Sequence, residues 1–120
     1  MAAGDIGEHF PPSDETNRDR ASRDFLDYAL KLADKDAYQL VNCDITLLAE
    51  KPKLKEHRLK ITNSLSKLTH LPPDRVSLKA TTTERLGFVG REEGLACLVV
   101  VLLEKALSAP PEQQAETYFA

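Results

Sequence analysis

A chain of 120 residues has room for one domain and not for two, and a hydrophobic content of 42% is ordinary for a globular protein. The formal charge of -3 leaves no basic surface for wrapping a nucleic acid. Cys43 and Cys97 stand in apolar runs, which indicates buried thiols in a reducing compartment rather than a disulfide framework. The longest apolar run, residues 95–103, is too short to cross a bilayer, so we expect a soluble protein of the cytoplasm or of a plastid.

The first 21 residues are polar and include Pro11-Pro12, a composition that predicts a loop. Ser22 is a candidate N-cap for the helix that follows, in which apolar residues recur at helical spacing until about Lys35. One face of this helix should therefore pack inward.

A strand is predicted over residues 38–49, where apolar and polar residues alternate. Its apolar face comprises Val41, Cys43, Ile45 and Leu47, and its polar face comprises Asn42, Asp44 and Thr46. The polar face is either an exposed sheet surface or a hydrogen-bonded network at a subunit interface, because buried polar groups must be paired. We expect Asp44 to be structural rather than catalytic.

A second helix is predicted over residues 56–69, with Pro72-Pro73 as its stop. Residues 76–80 alternate as a strand, and the apolar run 94–103 predicts a strand buried on both faces. The order helix, strand, helix, strand, strand predicts an α+β fold, a small mixed sheet with helices on one face and other subunits on its second side. The domain should span residues 1–105, and the polar residues 106–120 should form a disordered tail.

Residues 79–91 gather hydroxyls, a carboxylate, two glycines and cations at the end of a predicted strand. Three threonines can donate to phosphate oxygens, Glu84 can hold a hard divalent cation, and Gly87 and Gly90 allow a tight turn. On residue types alone a polar turn is the favoured interpretation, because the run is neither a Walker loop nor a dinucleotide-binding fingerprint.

The run nevertheless resembles one family, 2-C-methyl-D-erythritol 2,4-cyclodiphosphate synthase, a metal-dependent enzyme of the non-mevalonate isoprenoid pathway. Three further segments agree in order over residues 4 to about 105: Asp5-Ile6-Gly7 with Phe10 and Asp14, then Asn42-Cys43-Asp44-Ile45-Thr46, then Ala49-Glu50-Lys51-Pro52-Lys53-Leu54. The resemblance implies a homotrimer with sites between subunits, in which a phosphate of a cytidine diphosphate substrate attacks intramolecularly and expels CMP.

The resemblance also implies roles for individual residues. Catalysis would rest on Thr82 and Glu84, with Glu84 holding a magnesium or manganese ion and Thr81 donating to phosphate oxygens. The methylerythritol part would contact Asp5, Ile6, Gly7, Phe10 and Asp14. The cytidine would be enclosed by Ala49, Lys51, Pro52, Lys53 and Leu54, although these lysines, with Lys55 and Arg58, are equally typical of a solvated helix start.

Phe88 and Arg91 match family positions that line a cavity on the threefold axis, proposed to take isoprenoid diphosphates. Core packing for Phe88 and a surface ion pair for Arg91 are the favoured alternatives. Leu98 stands where many relatives of the family place a glutamate in the cavity wall, which changes the polarity expected there.

Family members carry zinc ligands in an Asp-x-His pair and a later histidine, and these motifs are not found in the 120 residues. We therefore expect an N-terminally truncated synthase that turns over no substrate by itself. His9 lies four residues after Asp5, but a loop there should not replace the zinc site. The alternative is a non-catalytic fragment or pseudoenzyme subunit that binds a cytidine nucleotide.

Overall fold

Three strands form one mixed sheet in this computed structural model, which describes residues 1–107. Strand β1 spans Tyr38–Leu48, β2 spans Val76–Thr81 and β3 spans Ala96–Lys105, in the order β2-β1-β3. Strand β1 is parallel to β2 and antiparallel to β3. The predicted α+β class, with a small mixed sheet, is confirmed.

Within the described residues, four α-helices accompany the sheet: α1 over Ile6–His9, α2 over Ser22–Lys35, α3 over Arg58–Thr69 and α4 over Gly87–Gly90. Helix α2 packs on β1, α3 packs on β2, and the two helices contact each other. Helix α3 begins at Arg58, two residues later than predicted.

Two details at the start of the chain were wrongly predicted. The cap of α2 is Ala21, which makes no side-chain bond, so Ser22 is the first helical residue. The predicted N-terminal loop contains α1 and a 3-10 turn over Glu15–Asn17. Both form because an aspartate at their start accepts a backbone hydrogen bond, Asp5 from Glu8 and Asp14 from Thr16.

The core lies between the helices and the sheet. Cys43, Ile45, Leu71 and Val76 form its buried cluster, with Leu40, Leu65 and Leu78 packed against it. The pairing of β1 with β3 skips Val41, so this residue is an irregularity in the register. The extra residue reverses which side chains face the core on its N-terminal side. Leu40, rather than Val41, therefore packs against the buried residues.

Strand β3 is an exposed edge strand, so the prediction of a strand buried on both faces is wrong for the single chain. Leu98 is 60% exposed and Val100 70% exposed. Cys97 on the same strand is exposed as well, so the prediction of buried thiols is right for Cys43 and wrong for Cys97. The cause is the packing around this edge, because within residues 1–107 β3 pairs with β1 alone, while the long helices pack on β1 and β2.

Pairing continues to Ala106, whose amide donates to the Ala37 carbonyl oxygen at 2.8 Å. The rest of the predicted tail, residues 108–120, lies outside the described residues. Within residues 1–107, no helix has both the length and the apolar character needed to span a membrane.

Candidate functional site

The candidate site lies at the edge of the sheet where β1 and β2 end. These strands are parallel, so the segments that follow them, the lysine loop (residues 49–55) and the threonine loop (residues 81–86), leave the sheet at the same edge. Leu48 is the register partner of Thr81, and the Ala49 amide donates to the Thr81 carbonyl oxygen at 3.0 Å. Backbone pairing therefore holds the two loops side by side.

A cavity of about 200 Å³ opens between the lysine loop and the threonine loop. Six of the residues predicted for the substrate site line it: Ala49, Pro52, Lys53, Leu54, Thr81 and Thr82. Lys55 and Arg58 add two further cations to Lys53, and none of the lining residues within the described chain is acidic. Hydroxyls and positive charge around a concave surface suit a phosphorylated ligand.

Lys51 lies apart from this cavity. Its Nζ is 3.6 Å from Glu92 Oε1, an ion pair between two exposed side chains. The Lys51–Pro52 peptide bond is cis. Lys51 is thus a predicted cytidine contact whose ammonium group lies beside a carboxylate and not in the cavity.

The threonine loop folds into a tight turn. The Leu86 amide donates to the Thr83 carbonyl oxygen at 3.0 Å, and Thr83 Oγ1 donates to the Leu86 carbonyl oxygen at 2.7 Å. Glu84 and Arg85 have φ values of 53° and 62°, in the left-handed region that residues with a Cβ rarely adopt. This turn sets the direction in which the Glu84 side chain leaves the backbone.

The Glu84 side chain is exposed, and within the described chain its carboxylate takes part in no hydrogen bond or ion pair. The Glu84 amide donates to Thr82 Oγ1 at 3.3 Å, which places one predicted catalytic residue against the backbone of the other. An unpaired carboxylate beside two threonines offers the oxygen donors that Mg²⁺ and Mn²⁺ prefer when a phosphate supplies the rest. The donor set therefore fits the predicted ion.

The glycines of this segment have different uses. Gly87 has a φ of 67°, which a residue without a Cβ adopts at no steric cost. At Gly90 a Cβ would collide with the backbone of Arg85, so this glycine lets α4 lie directly on the threonine loop. Both agree with the predicted tight turn.

The predicted methylerythritol residues lie elsewhere in the single chain. Asp5, Ile6 and Phe10 line a second cavity of about 430 Å³, between α1, α2 and β3. Phe10 packs edge-on against Phe25 and Tyr28, with ring centroids 4.7 and 4.9 Å away. The aromatic cluster anchors the start of the chain to α2.

Gly7 and Asp14 are outside that cavity. Gly7 lies within α1. Asp14 Oδ1 accepts hydrogen bonds from Thr16 Oγ1 at 2.7 Å and from the Thr16 amide at 3.0 Å. These bonds to the Thr16 side chain and then to its backbone hold the pKa of Asp14 below its ordinary value. Asp14 thus already has a structural partner within its own turn.

Phe88 and Arg91 stand at the surface beside the threonine loop. Phe88 is 51% exposed, so it is not the core residue that the alternative required. Arg91 forms the surface ion pair of that alternative, with Nε 2.9 Å from Glu93 Oε1.

Among residues 1–107, no three His, Cys, Asp or Glu side chains converge on a point where a metal ion could sit. His9 hydrogen-bonds through Nδ1 to Tyr28 Oη at 2.9 Å and through Nε2 to the Ala3 carbonyl oxygen at 2.6 Å. Because Asp5 and Asp14 both cap turns, neither joins His9 as a zinc donor.

Sequence reasoning passed over Glu50. This half-buried residue follows Ala49 in the lysine loop, yet its carboxylate accepts hydrogen bonds from the threonine loop. The sequence offered one signal, the presence of an acidic residue among lysines.

The chain belongs to the YgbB family, whose family model matches residues 1–104. The bifunctional enzyme IspD/IspF of Rhodobacter capsulatus is 48% identical over 103 residues, which are 86% of this chain and 27% of that protein. The 2-C-methyl-D-erythritol 2,4-cyclodiphosphate synthase of Cereibacter sphaeroides is 45% identical over 106 residues, 88% of this chain and 67% of that protein. The resemblance inferred from the motifs is confirmed.

Solved structures agree with the sequence relatives. The IspF CDP complex of Plasmodium falciparum matches with a TM-score of 0.75 and 31% identity, over 87% of this chain and 62% of that one. The chain thus spans only part of the length of the proteins that it matches, little more than a quarter in the case of the bifunctional relative.

Proposed function

We propose that this chain carries the nucleotide- and metal-binding part of a 2-C-methyl-D-erythritol 2,4-cyclodiphosphate synthase. The reaction is the cyclisation of 4-diphosphocytidyl-2-C-methyl-D-erythritol 2-phosphate with release of CMP, a phosphorus–oxygen lyase reaction of isoprenoid biosynthesis. The observation that carries the proposal is the cationic cavity between the lysine and threonine loops, in a chain whose structural relative is a CDP complex. The curated relatives reported above are bacterial, which supports the bacterial cytoplasm over a plastid.

The protein's task in such a reaction is to hold the attacking phosphate in line and to neutralise charge on the transferring phosphorus. Thr81 and Thr82 can donate hydroxyl protons to the diphosphate oxygens. Lys53 supplies a cation beside them, while Ala49, Pro52 and Leu54 enclose the cytidine. The backbone pairing of the two loops fixes these groups before the substrate arrives.

Glu84 is the residue that would hold the divalent ion, magnesium or manganese. When bound, such an ion neutralises phosphate charge during phosphoryl transfer. Glu84 has the exposed, unpaired carboxylate that this role needs, on a backbone whose direction the turn fixes.

Zinc does not fit the described residues. His9, Asp5 and Asp14 are each committed to bonds inside the N-terminal segment. We therefore expect the 120-residue chain to bind the nucleotide without releasing CMP by itself.

A homotrimer would bring the two cavities into one site. The methylerythritol residues Asp5, Ile6 and Phe10 lie in a cavity separate from that of the lysine loop, so a neighbouring subunit has to supply one of the two sets. The exposed apolar strand β3 is the surface that a second and third copy would cover. Phe88 and Arg91 would then lie near the threefold axis and line its cavity.

Calorimetry with CDP tests the proposal, in the presence and absence of Mn²⁺. We expect CDP to bind, and Mn²⁺ to increase its affinity. Glu84→Ala should remove the increase and keep the fold. Glu92→Ala is the matched control, because Glu92 is also an exposed carboxylate at positive φ, 59°, and it should keep the increase.

Two outcomes contradict the proposal. Absence of CDP binding would remove the nucleotide site, and a Mn²⁺ effect as large in Glu84→Ala as in the wild type would remove Glu84 from it. Chromatography of the substrate after incubation with the protein measures whether CMP is released. Release of CMP by the 120-residue chain at a zinc-dependent rate would contradict the expectation about zinc and make Asp5, His9 and Asp14 the candidate ligands.

A further inference from the structure

Glu50 links the two loops that enclose the cavity. Its Oε1 lies 3.1 Å from the Arg85 amide nitrogen, 3.3 Å from the Thr83 amide nitrogen and 3.4 Å from Thr83 Oγ1. Two backbone amides of the threonine loop, 33 and 35 residues further along the chain, therefore donate to a single carboxylate oxygen of the lysine loop, whereas the one hydroxyl proton of Thr83 goes to the Leu86 carbonyl oxygen.

The two amides lie on opposite sides of Glu84. One belongs to the peptide unit before Thr83 and the other to the unit that joins Glu84 to Arg85. Glu84 and Arg85 are consecutive non-glycine residues at positive φ, a conformation that persists only where the surroundings hold it. Hydrogen bonds from backbone amides to a carboxylate are stronger than those between neutral groups, and Glu50 is half-buried, where water competes less.

We propose that Glu50 is a positioning residue that holds the threonine loop in its left-handed turn and thereby aims the Glu84 carboxylate. The lysine loop and the threonine loop then move as one unit. The metal ligand Glu84 of the threonine loop is therefore already in position when a nucleotide binds to the lysine loop. The metal-binding role of Glu84 rests on the proposed function, whereas the stabilisation of the turn by Glu50 does not.

Two substitutions separate the hydrogen bonds from the volume of the side chain. Glu50→Gln keeps the length and one oxygen acceptor, and Glu50→Leu keeps most of the volume but removes the acceptor. Hydrogen exchange measured by NMR at the Thr83 and Arg85 amides reports the turn directly. The Ala49 amide, bonded to the Thr81 carbonyl oxygen in the same structure, is the internal reference.

The readout is the exchange rate at Thr83 and Arg85 divided by the exchange rate at Ala49. This ratio cancels any general loss of stability, because such a loss raises all three rates. In Glu50→Leu we expect this ratio to rise about tenfold, the effect of losing one net hydrogen bond. Glu50→Gln should restore most of the protection. A ratio in Glu50→Leu equal to that of the wild type would overturn the proposal.

The second readout is the gain in CDP affinity on adding Mn²⁺. In Glu50→Leu this gain should fall about tenfold while CDP affinity without metal changes little, and Glu50→Gln should keep most of the gain. An unchanged gain in Glu50→Leu would overturn the link to Glu84. If the wild-type chain shows no gain at all, the proposed function fails, and the exchange ratio still decides whether Glu50 holds the turn.

Discussion

Lys79 Nζ lies 2.8 Å from Asp44 Oδ2, an ion pair that joins the two parallel strands β1 and β2. Asp44 is the register partner of Ser77, and Lys79 is that of Thr46, so the pair crosses the strands diagonally. Asp44 alternates with the buried Cys43 and Ile45, which puts the pair on the sheet face away from the core. Asp44, the central residue of the polar face of β1, thus has its partner within its own sheet.

We predict that Lys79→Met raises the pKa of Asp44. The hydrogen bond from Lys79, then one from Ser77, and the charge of Lys79 hold this pKa below its ordinary 3.8. A lowered pKa in the folded state means that the pair stabilises the protein above pH 3.8 and that this contribution disappears as the pH falls through the lowered value. NMR titration of the Asp44 carboxyl carbon measures the change.

Lys67→Met, on α3, is the control for the loss of one positive charge and should leave the titration of Asp44 where it is. Because the Ser77 bond remains in Lys79→Met, the pKa should rise only part of the way to 3.8. A titration curve identical to that of the wild type would contradict the role given to the ion pair.

We predict that Gly90→Ala lowers the free energy of unfolding by about 1–3 kcal/mol, the usual cost of forcing an atom into a packed space. The new Cβ would meet the backbone of Arg85, which cannot rotate away as a side chain can. Gly7→Ala in α1 is the comparison, since its nearest neighbour is the Asp5 carboxylate at 3.3 Å and alanine favours a helix.

Urea denaturation of both variants gives the two free energies. Gly7→Ala should be neutral or slightly stabilising. If Gly90→Ala were as stable as the wild type, α4 would not rest on the threonine loop in the way described.

We predict that the protein is a trimer in solution and that Leu102→Lys dissociates it. Leu102 is 54% exposed in the single chain and is the register partner of the neutral Asn42, so a lysine there would place an ammonium group in the apolar half of the same sheet face with no carboxylate directly opposite. Burying an unpaired charge in an interface is costly. Light scattering of the wild type and the variant measures the change in mass.

Leu59→Lys is the matched control, because Leu59 is also an exposed apolar residue but lies on α3 rather than on the sheet. It should leave the mass of the trimer unchanged. A wild-type monomer with a cooperative melting transition would contradict the covering of β3 by other copies.

The local pattern of the sequence determined the elements that depend on short-range periodicity. Helix α2 and strand β1 were predicted nearly to their bounds because their apolar residues recur at 3.6 and at two residues, and each has one face to bury. The threonines, Glu84 and the glycines also predicted a tight turn, which the structure forms between Thr83 and Leu86, whereas their phosphate role was implied only by the resemblance and is a proposal.

The tertiary structure decided what depends on distant partners. Nothing near Glu50 in the sequence predicts its bonds to Thr83 and Arg85, because those donors are brought close only by the parallel pairing of β1 with β2. The apolar run of β3 predicted burial, yet an apolar residue is buried only if something packs on it, and the strand order puts β3 at the open edge. Composition indicates which residues can be buried, and the arrangement of the strands decides which of them are.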